Sequence, residues 1–461
     1  MIARFRAPRQ RDPDPPVAGS GARRRRVAPS ALLGLVTILV VTPLLVLAGA
    51  PSRTRGGGWQ VGSLVTSLAA ASLLLVAFVL PSRVRVVTTY LGVERLLRSH
   101  RLIALVAVGL VAAHVVFVLA HTGLGVLDLR SAPPRVWAAT ASTLALAAMV
   151  PLAISRRRRR PRYEGWRLAH VVLGNIVLFG TALHVFWLND LISSAPGATW
   201  FALLLAALLV LTGYRWVWRP WRSHQAAYVV DEVRVESPTA VTVVLHAVGH
   251  PGVQFRPGQF AWLKLGESAF VFEEHPFTIA SAATRPWRKE FTVKALGDFS
   301  EILSGLRPGR LVHLDGPHGA FTLDGLRSDG FVFVAGGVGI TPMLSMLRTM
   351  ADRGDRRPVL LVVAGRTADD LLHRADHEHL DQRLDLRLVE ILEEPPAEWT
   401  GEIGWLTRDV LDSALPGRRG RSHLDYFVCG PGPMVAAATR ILENDWGIAD
   451  RRIHTELFDV V

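Results

Sequence analysis

Four histidines stand where a chain rarely keeps them: His100 and His114 in the apolar stretch 99–121, and His170 and His184 in the apolar stretch 165–188. A polar side chain inside a bilayer is costly, so an intramembrane histidine marks a functional position by default. In each stretch the two are fourteen residues apart. At about 100° per residue that returns the second ring to within about 40° of the first, about 21 Å further along the helix. A neutral imidazole on each side of a porphyrin iron is a standard haem ligation that leaves no open axial position. If the two stretches cross the membrane in the same direction, His100 stands level with His170 and His114 with His184. For any one histidine, a hydrogen bond to a neighbouring helix is the plainer reading; two matched pairs argue for ligation. His121, one heptad beyond His114, is an alternative outer ligand, and the equal spacing in the second stretch favours His114.

Positioning four such rings takes membrane helices. Half of the 461 residues are hydrophobic, and the long apolar runs all fall in the first half, at about 31–50, 59–80, 102–121, 136–154, 168–188 and 200–218. Each spans, or nearly spans, a hydrocarbon core of about 30 Å at 1.5 Å per residue, which predicts six transmembrane helices. The fourth is the weakest because Pro151 lies near its end. The net charge of +13 comes mostly from arginines beside these runs, at 23–26, 83–101, 156–167 and 215–222, so the positive-inside rule explains it without nucleic acid. That rule puts both termini in the cytoplasm of what reads as a bacterial-type plasma membrane. Residues 1–30, rich in Pro and Arg, read as a disordered tail, and the first apolar run as a retained helix. Cys429 is the one cysteine, which excludes structural disulfides and cysteine-ligated iron–sulfur clusters. No calcium loop of the EF-hand pattern is present.

After about residue 224 the texture changes to short alternating strands punctuated by Pro and Gly, which predicts an antiparallel β-barrel over 224–326. From 327 to 461 strands alternate with helices, which predicts a parallel sheet covered on both faces. The stretch FVFVAGGVGITP, 331–342, empties an apolar strand into Gly336, Gly337 and Gly339, with Thr341 suited to a helix N-cap and Pro342 to the first turn. Such a turn lets backbone amides approach a pyrophosphate. CGPGPM, from Cys429 through Gly430 and Pro431 to Met434, ends a second strand. In an open parallel sheet two such loops can grip one dinucleotide, with Cys429 near the nicotinamide. Arg366 follows the strand PVLLVVAG, and no acidic residue ends that strand, which favours NADPH over NADH. In the barrel, HPFTIAS (275–281) and KALGDFS (294–300) offer an aromatic next to a hydroxyl, and a glycine and serine ahead of a helix.

Taken in order, the paired histidine helices, HPFTIAS, KALGDFS, GPHG (316–319), GGVGITP, CGPGPM and the terminal HTELF resemble the ferric reductase and NADPH oxidase membrane family. Its C-terminal half, about 226–461, is similar to the ferredoxin-reductase-type flavin and NADPH module. The resemblance implies FAD, two b-type haems and NADPH as electron donor. It places His275, where soluble relatives carry arginine, and Pro276, Phe277 and Thr278 in the flavin loop, with Phe277 flanking the ring and Thr278 facing its N5 region. Lys294, Gly297 and Ser300 would hold the FAD phosphates. Gly336, Gly337, Gly339, Thr341, Pro342, Arg366, Cys429, Gly430, Pro431 and Met434 would bind the nucleotide. Phe458 matches the aromatic that shields the flavin, although here Asp459, Val460 and Val461 follow it. The implied activity is transmembrane electron transfer to a ferric chelate or dioxygen on the outer side, with no obligate protein partner. A membrane-tethered flavin reductase without haem, or a relay to an outside partner protein, are the alternatives.

Overall fold

The computed structural model describes residues 57–461 other than 85–86, 89–91, 160–162, 189–191, 295–297, 416–417 and 459–461; before them it describes Gly34, Thr37, Val41 and Leu45 alone. The first expected span, 31–50, therefore lies outside the described residues but for those four, as do the tail and Gly297. The chain divides into two compact units, with the division falling between Arg219 and Pro220 in the sequence.

Among the described residues of the first unit, five helices are long and apolar enough to cross a membrane. They are α1 (Gly58–Val79), α2 (Val93–Thr122), α3 (Pro134–Arg159), α4 (Tyr163–Leu188) and α5 (Ala195–Gly213). Leu102, Leu105 and Val116 on α2, and Leu168, Val172 and Ile176 on α4, are exposed. Lipid is the solvent that tolerates such faces. Inside the unit, Ala145, Leu146 and Val177 pack with Leu74, Val108 and Leu173. Small residues bring the helices close, as is common between membrane helices. A Cβ on Gly180 of α4 would sit 2.3 Å from Ser142 Oγ and 3.3 Å from the Ala138 carbonyl of α3. Helix α3 runs through Pro151, the residue expected to weaken it. Membrane helices tolerate an internal proline because neighbouring groups satisfy the freed backbone. Helix α5 begins earlier than hydropathy alone suggests, because Ser194 caps it, accepting from Gly197 N–H at 3.4 Å, with Pro196 in the first turn.

Among its described residues the second unit carries two six-stranded sheets. The first is antiparallel, in the order β4-β3-β6-β1-β2-β5, with β1 at Ala227–Ser237, β2 at Ala240–Ala247, β3 at Phe260–Leu265, β4 at His275–Thr278, β5 at Arg288–Lys294 and β6 at Leu311–His318. Just past edge strand β4, Ala280 N–H donates to the Glu290 carbonyl of the other edge strand at 2.8 Å, curling the sheet towards closure. The second is parallel, in the order β10-β9-β8-β7-β11-β12. Its central strands β7 (Phe331–Gly336) and β11 (Asp425–Gly430) are buried at every residue, as strands covered on both faces must be. They are flanked by β8 (Val359–Gly365), β9 (Leu386–Leu392), β10 (Glu402–Ile403) and β12 (Ile453–Leu457). Helix α6 (Ile340–Arg353) ties this sheet to the first one. Its Arg348 donates to Glu290 of β5 at 2.8 Å, to Asp376 at 2.9 Å and to the Ala280 carbonyl at 3.0 Å.

Candidate functional site

In the membrane unit the partner helix of each hairpin holds a histidine by its Nδ1. His100 Nδ1 lies 2.8 Å from the Ala77 carbonyl and His114 Nδ1 2.9 Å from the Ser63 carbonyl, both on α1. His184 Nδ1 lies 2.8 Å from the Arg135 carbonyl of α3. A carbonyl only accepts, so each of these rings carries its proton on Nδ1 and turns an Nε2 lone pair outward. No hydrogen bond reaches those Nε2 atoms among the described residues. His170 differs: its buried Nδ1 has no partner among the described residues, and its ring stacks on Trp166 at 5.4 Å. The His100 and His170 rings lie with centroids 6.2 Å apart at 70°. Two nitrogen–metal bonds of about 2 Å, with the ring radii added, span about that distance. His114 and His184 line one cavity with Ser67, Ser142, Thr181 and Phe201, whereas His121 is exposed in the last turn of α2 and does not line it. The donor set therefore fits two bis-imidazole sites: neutral rings, and in three of the four an oriented lone pair with a second hydrogen bond that fixes the tautomer.

In the antiparallel sheet, β4 carries His275, Pro276 and Phe277 half-buried and Thr278 buried, paired with β3 through Phe260↔Thr278 and Ala261↔Phe277. Phe299, which the sequence reading passed over, completes this wall: it stacks on His275 at 4.1 Å and lies 6.1 Å from Phe277. An apolar aromatic wall beside a hydroxyl is the chemistry a flavin ring needs, so these residues fit FAD. Ser300 follows Phe299 on the helix Asp298–Ser304. Lys294, expected at the FAD phosphates, bonds Asp370 Oδ1 at 2.8 Å, because the segment after β8 brings a carboxylate to the end of β5. Burial alone would raise the Asp370 carboxyl. The bond and charge from Lys294, with the Thr367 and Arg366 N–H groups, hold it below the ordinary carboxylate range.

At the carboxyl edge of the parallel sheet the two glycine loops touch. A Cβ on Gly339 would lie 2.3 Å from the Cys429 carbonyl, and one on Gly336 would lie 2.8 Å from both Met434 Sδ and Pro431 Cδ. Gly337, at φ 53°, turns the chain in a left-handed conformation that a side chain would strain. The expected N-cap is corrected. Gly339 is the cap and Thr341 sits inside the first turn, its hydroxyl donating to Val338 O at 2.9 Å and so not accepting from a helix N–H. Pro342 is in that turn as expected. Cys429 is buried in the core, and burial, then the neighbouring Glu456 charge, push its thiol well up, which keeps it neutral. Gly430 pairs with Leu457, which sets Phe458, partly exposed, beside Gly430 and Pro431 at the same edge. Arg366 follows β8 and is engaged by Glu394, whose Oε1 takes its Nε and an Nη at 2.9 Å. Glu393 and Glu394 follow directly on strand LRLVEIL, a signal visible in the sequence once β9 is known to neighbour β8.

Residues 66–181 match the model of the ferric reductase like transmembrane component, and residues 333–440 that of the oxidoreductase NAD-binding domain. The reductase component of propane 2-monooxygenase from Rhodococcus jostii is 34% identical over 224 residues, 46% of this chain and 58% of that protein, so the chain spans little more than half of that relative's length. Ferredoxin–NADP reductase B from Sorangium cellulosum is 31% identical over 188 residues, 40% of this chain and 77% of that protein. Among solved structures, the ferredoxin reductase in carbazole 1,9a-dioxygenase is 25% identical, covering 50% of this chain and 69% of that one with a TM-score of 0.44. The chain thus belongs to the ferredoxin–NADP reductase family in its second unit and carries a ferric-reductase-like transmembrane component ahead of it, the architecture of the fused ferric reductases and NADPH oxidases.

Proposed function

We propose that this protein is a membrane oxidoreductase that takes electrons from a nicotinamide dinucleotide on the cytoplasmic side and delivers them to an acceptor on the outer side, with FAD and two b-type haems as its resident groups. The observation that carries the reading is the tautomer set by Ala77, Ser63 and Arg135 on His100, His114 and His184. Histidines used only to join helices would have no need to present Nε2 at matched heights. When bound, FAD accepts an electron pair as hydride and gives electrons up singly, and bis-histidine iron carries them one at a time.

The chain's own residues divide the work by domain: 31–221 for the haems, 224–326 for FAD and 327–461 for the dinucleotide. His100 and His170 would hold the inner haem, His114 and His184 the outer. Phe277 and His275 would wall the flavin ring, and Thr278 would donate a hydroxyl to it. Gly336, Gly337 and Gly339 would admit the pyrophosphate against the start of α6, with Cys429, Gly430 and Met434 beside the nicotinamide and Phe458 covering the flavin face until the nicotinamide arrives. With His100, His170, His114 and His184 all engaged in holding the haems, those groups would supply one-electron transfer to a ferric chelate or dioxygen rather than a site that binds it.

The test is a reduced-minus-oxidised spectrum of the purified protein, joined to dinucleotide-driven reduction of a membrane-impermeant ferric chelate by vesicles. A low-spin b-type signal and chelate reduction on the face opposite the dinucleotide are expected. A protein with reductase activity and no haem signal would instead be a tethered flavin reductase.

A further inference from the structure

We infer that the dinucleotide this site selects is NADH, and that Glu393 and Glu394 at the end of β9 make the selection. The inference rests on the reading that the loops after β7 and β11 hold a nicotinamide dinucleotide. In a parallel sheet of this kind, the strand beside the pyrophosphate-binding strand ends at the adenosine ribose, where a carboxylate takes the 2′-hydroxyl of NAD or an arginine takes the 2′-phosphate of NADP. Here that neighbour is β8, paired with β7 through Gly336↔Ala364, and Arg366 follows its last residue. The strand's own sequence offers no acid, yet the sheet supplies two. Glu393 N–H donates to the Gly365 carbonyl at 3.2 Å and Glu394 N–H to the Arg366 carbonyl at 2.8 Å, which fixes both acidic residues alongside the end of β8.

The guanidinium that would receive a 2′-phosphate already lies on Glu394 at 2.9 Å. That pair is exposed, and exposed pairs are weakly held, so a phosphate could displace it. What it could not displace is the charge. Arg366 and Lys294 bring two positive charges, against three negative ones from Asp370, Glu393 and Glu394, a balance of 2 − 3 = −1. A 2′-phosphate brings about −1.5 to −2 more. A ribose hydroxyl brings none and gains a carboxylate acceptor.

The experiment uses the full chain in detergent. NAD+ and NADP+ binding is measured by calorimetry, and kcat and KM are measured for NADH and NADPH with ferricyanide as acceptor. NADH should be preferred in kcat/KM by about tenfold or more, carried by KM, as like-charge repulsion at a binding surface predicts. The Glu393→Gln, Glu394→Gln double variant should bring the ratio towards or below one, lowering KM for NADPH and raising it for NADH. NADP+ binding as tight as NAD+ in the unaltered protein overturns the inference, and so does a double variant with an unchanged ratio. Failure to bind either dinucleotide overturns the functional reading beneath it.

Discussion

His100, His114 and His184 share one arrangement: the Nδ1–H of each ring donates to a backbone carbonyl of the antiparallel neighbour, which leaves Nε2 as the free lone pair. Ser63 and Ala77 are themselves fourteen residues apart, so α1 repeats the spacing of the rings it holds. His170 lacks the equivalent bond. The matching stretch of α3 contains Pro151, and the Leu152 carbonyl is taken by Trp166 Nε1 at 3.1 Å. The choice between His114 and His121 belongs to this scale, and burial argues for His114, which lines a cavity with His184. His114→Ala should halve the haem bound per chain, read as pyridine haemochrome, and His121→Ala should leave it unchanged. The reverse pattern would make His121 the ligand.

Among elements, the contact that matters most for the dinucleotide is between the two loops rather than within either. Gly339 packs on the Cys429 carbonyl and the Gly430 N, at 2.3 and 2.9 Å from where a Cβ would stand, and all of the close atoms are backbone that cannot swing aside. Gly339→Ala should therefore cost about 1–3 kcal/mol of stability and part the loops after β7 and β11. Dinucleotide binding should weaken by about tenfold or more. Calorimetry and denaturant unfolding would show both, and wild-type binding in this variant would mean the loops do not act as one grip. Helix α6 matters in another way. Arg348 joins the parallel sheet to Glu290, whose side chain is 4% exposed, so Arg348→Ala should cost towards the lower end of about 3–5 kcal/mol, because Arg234 at 3.2 Å and Arg288 still pair with that carboxylate.

For the molecule as a whole, the reductase unit carries a buried histidine whose protonation in acid opposes the fold. His377, in the helix Arg374–Asp381, is buried with neither ring nitrogen hydrogen-bonded among the described residues. Burial first, and then the nearby His373 charge, hold its pKa down to about 4. The unfolded chain, with a histidine pKa of about 6.5, takes its proton earlier. This residue's contribution is thus complete above about pH 6.5 and declines as the pH falls towards 4, by up to about 1.4 kcal/mol per unit. Unfolding midpoints in urea should drop between pH 7 and pH 5, and His377→Phe should lessen that drop. Equal drops in both proteins would remove His377 as the cause.

How much could be read without coordinates follows from the range of each interaction. Hydropathy and helical period are local, so α1 to α4 and the spacing of His100, His114, His170 and His184 were legible in the sequence. Strand texture and the glycine loops after β7 and β11 are local as well, and they marked out the parallel sheet. The start of α5 and the cap of α6 shifted because single hydrogen bonds, at Ser194 and Thr341, set helix ends more finely than hydropathy does. What only the tertiary structure decided lies between elements far apart in the chain. It chose the carbonyls that turn three imidazoles, the pairing of Lys294 with Asp370, and the meeting of Glu394, just past β9, with Arg366 across 28 positions. A sequence states which charges a chain owns; the register of neighbouring strands determines which of them meet at a site.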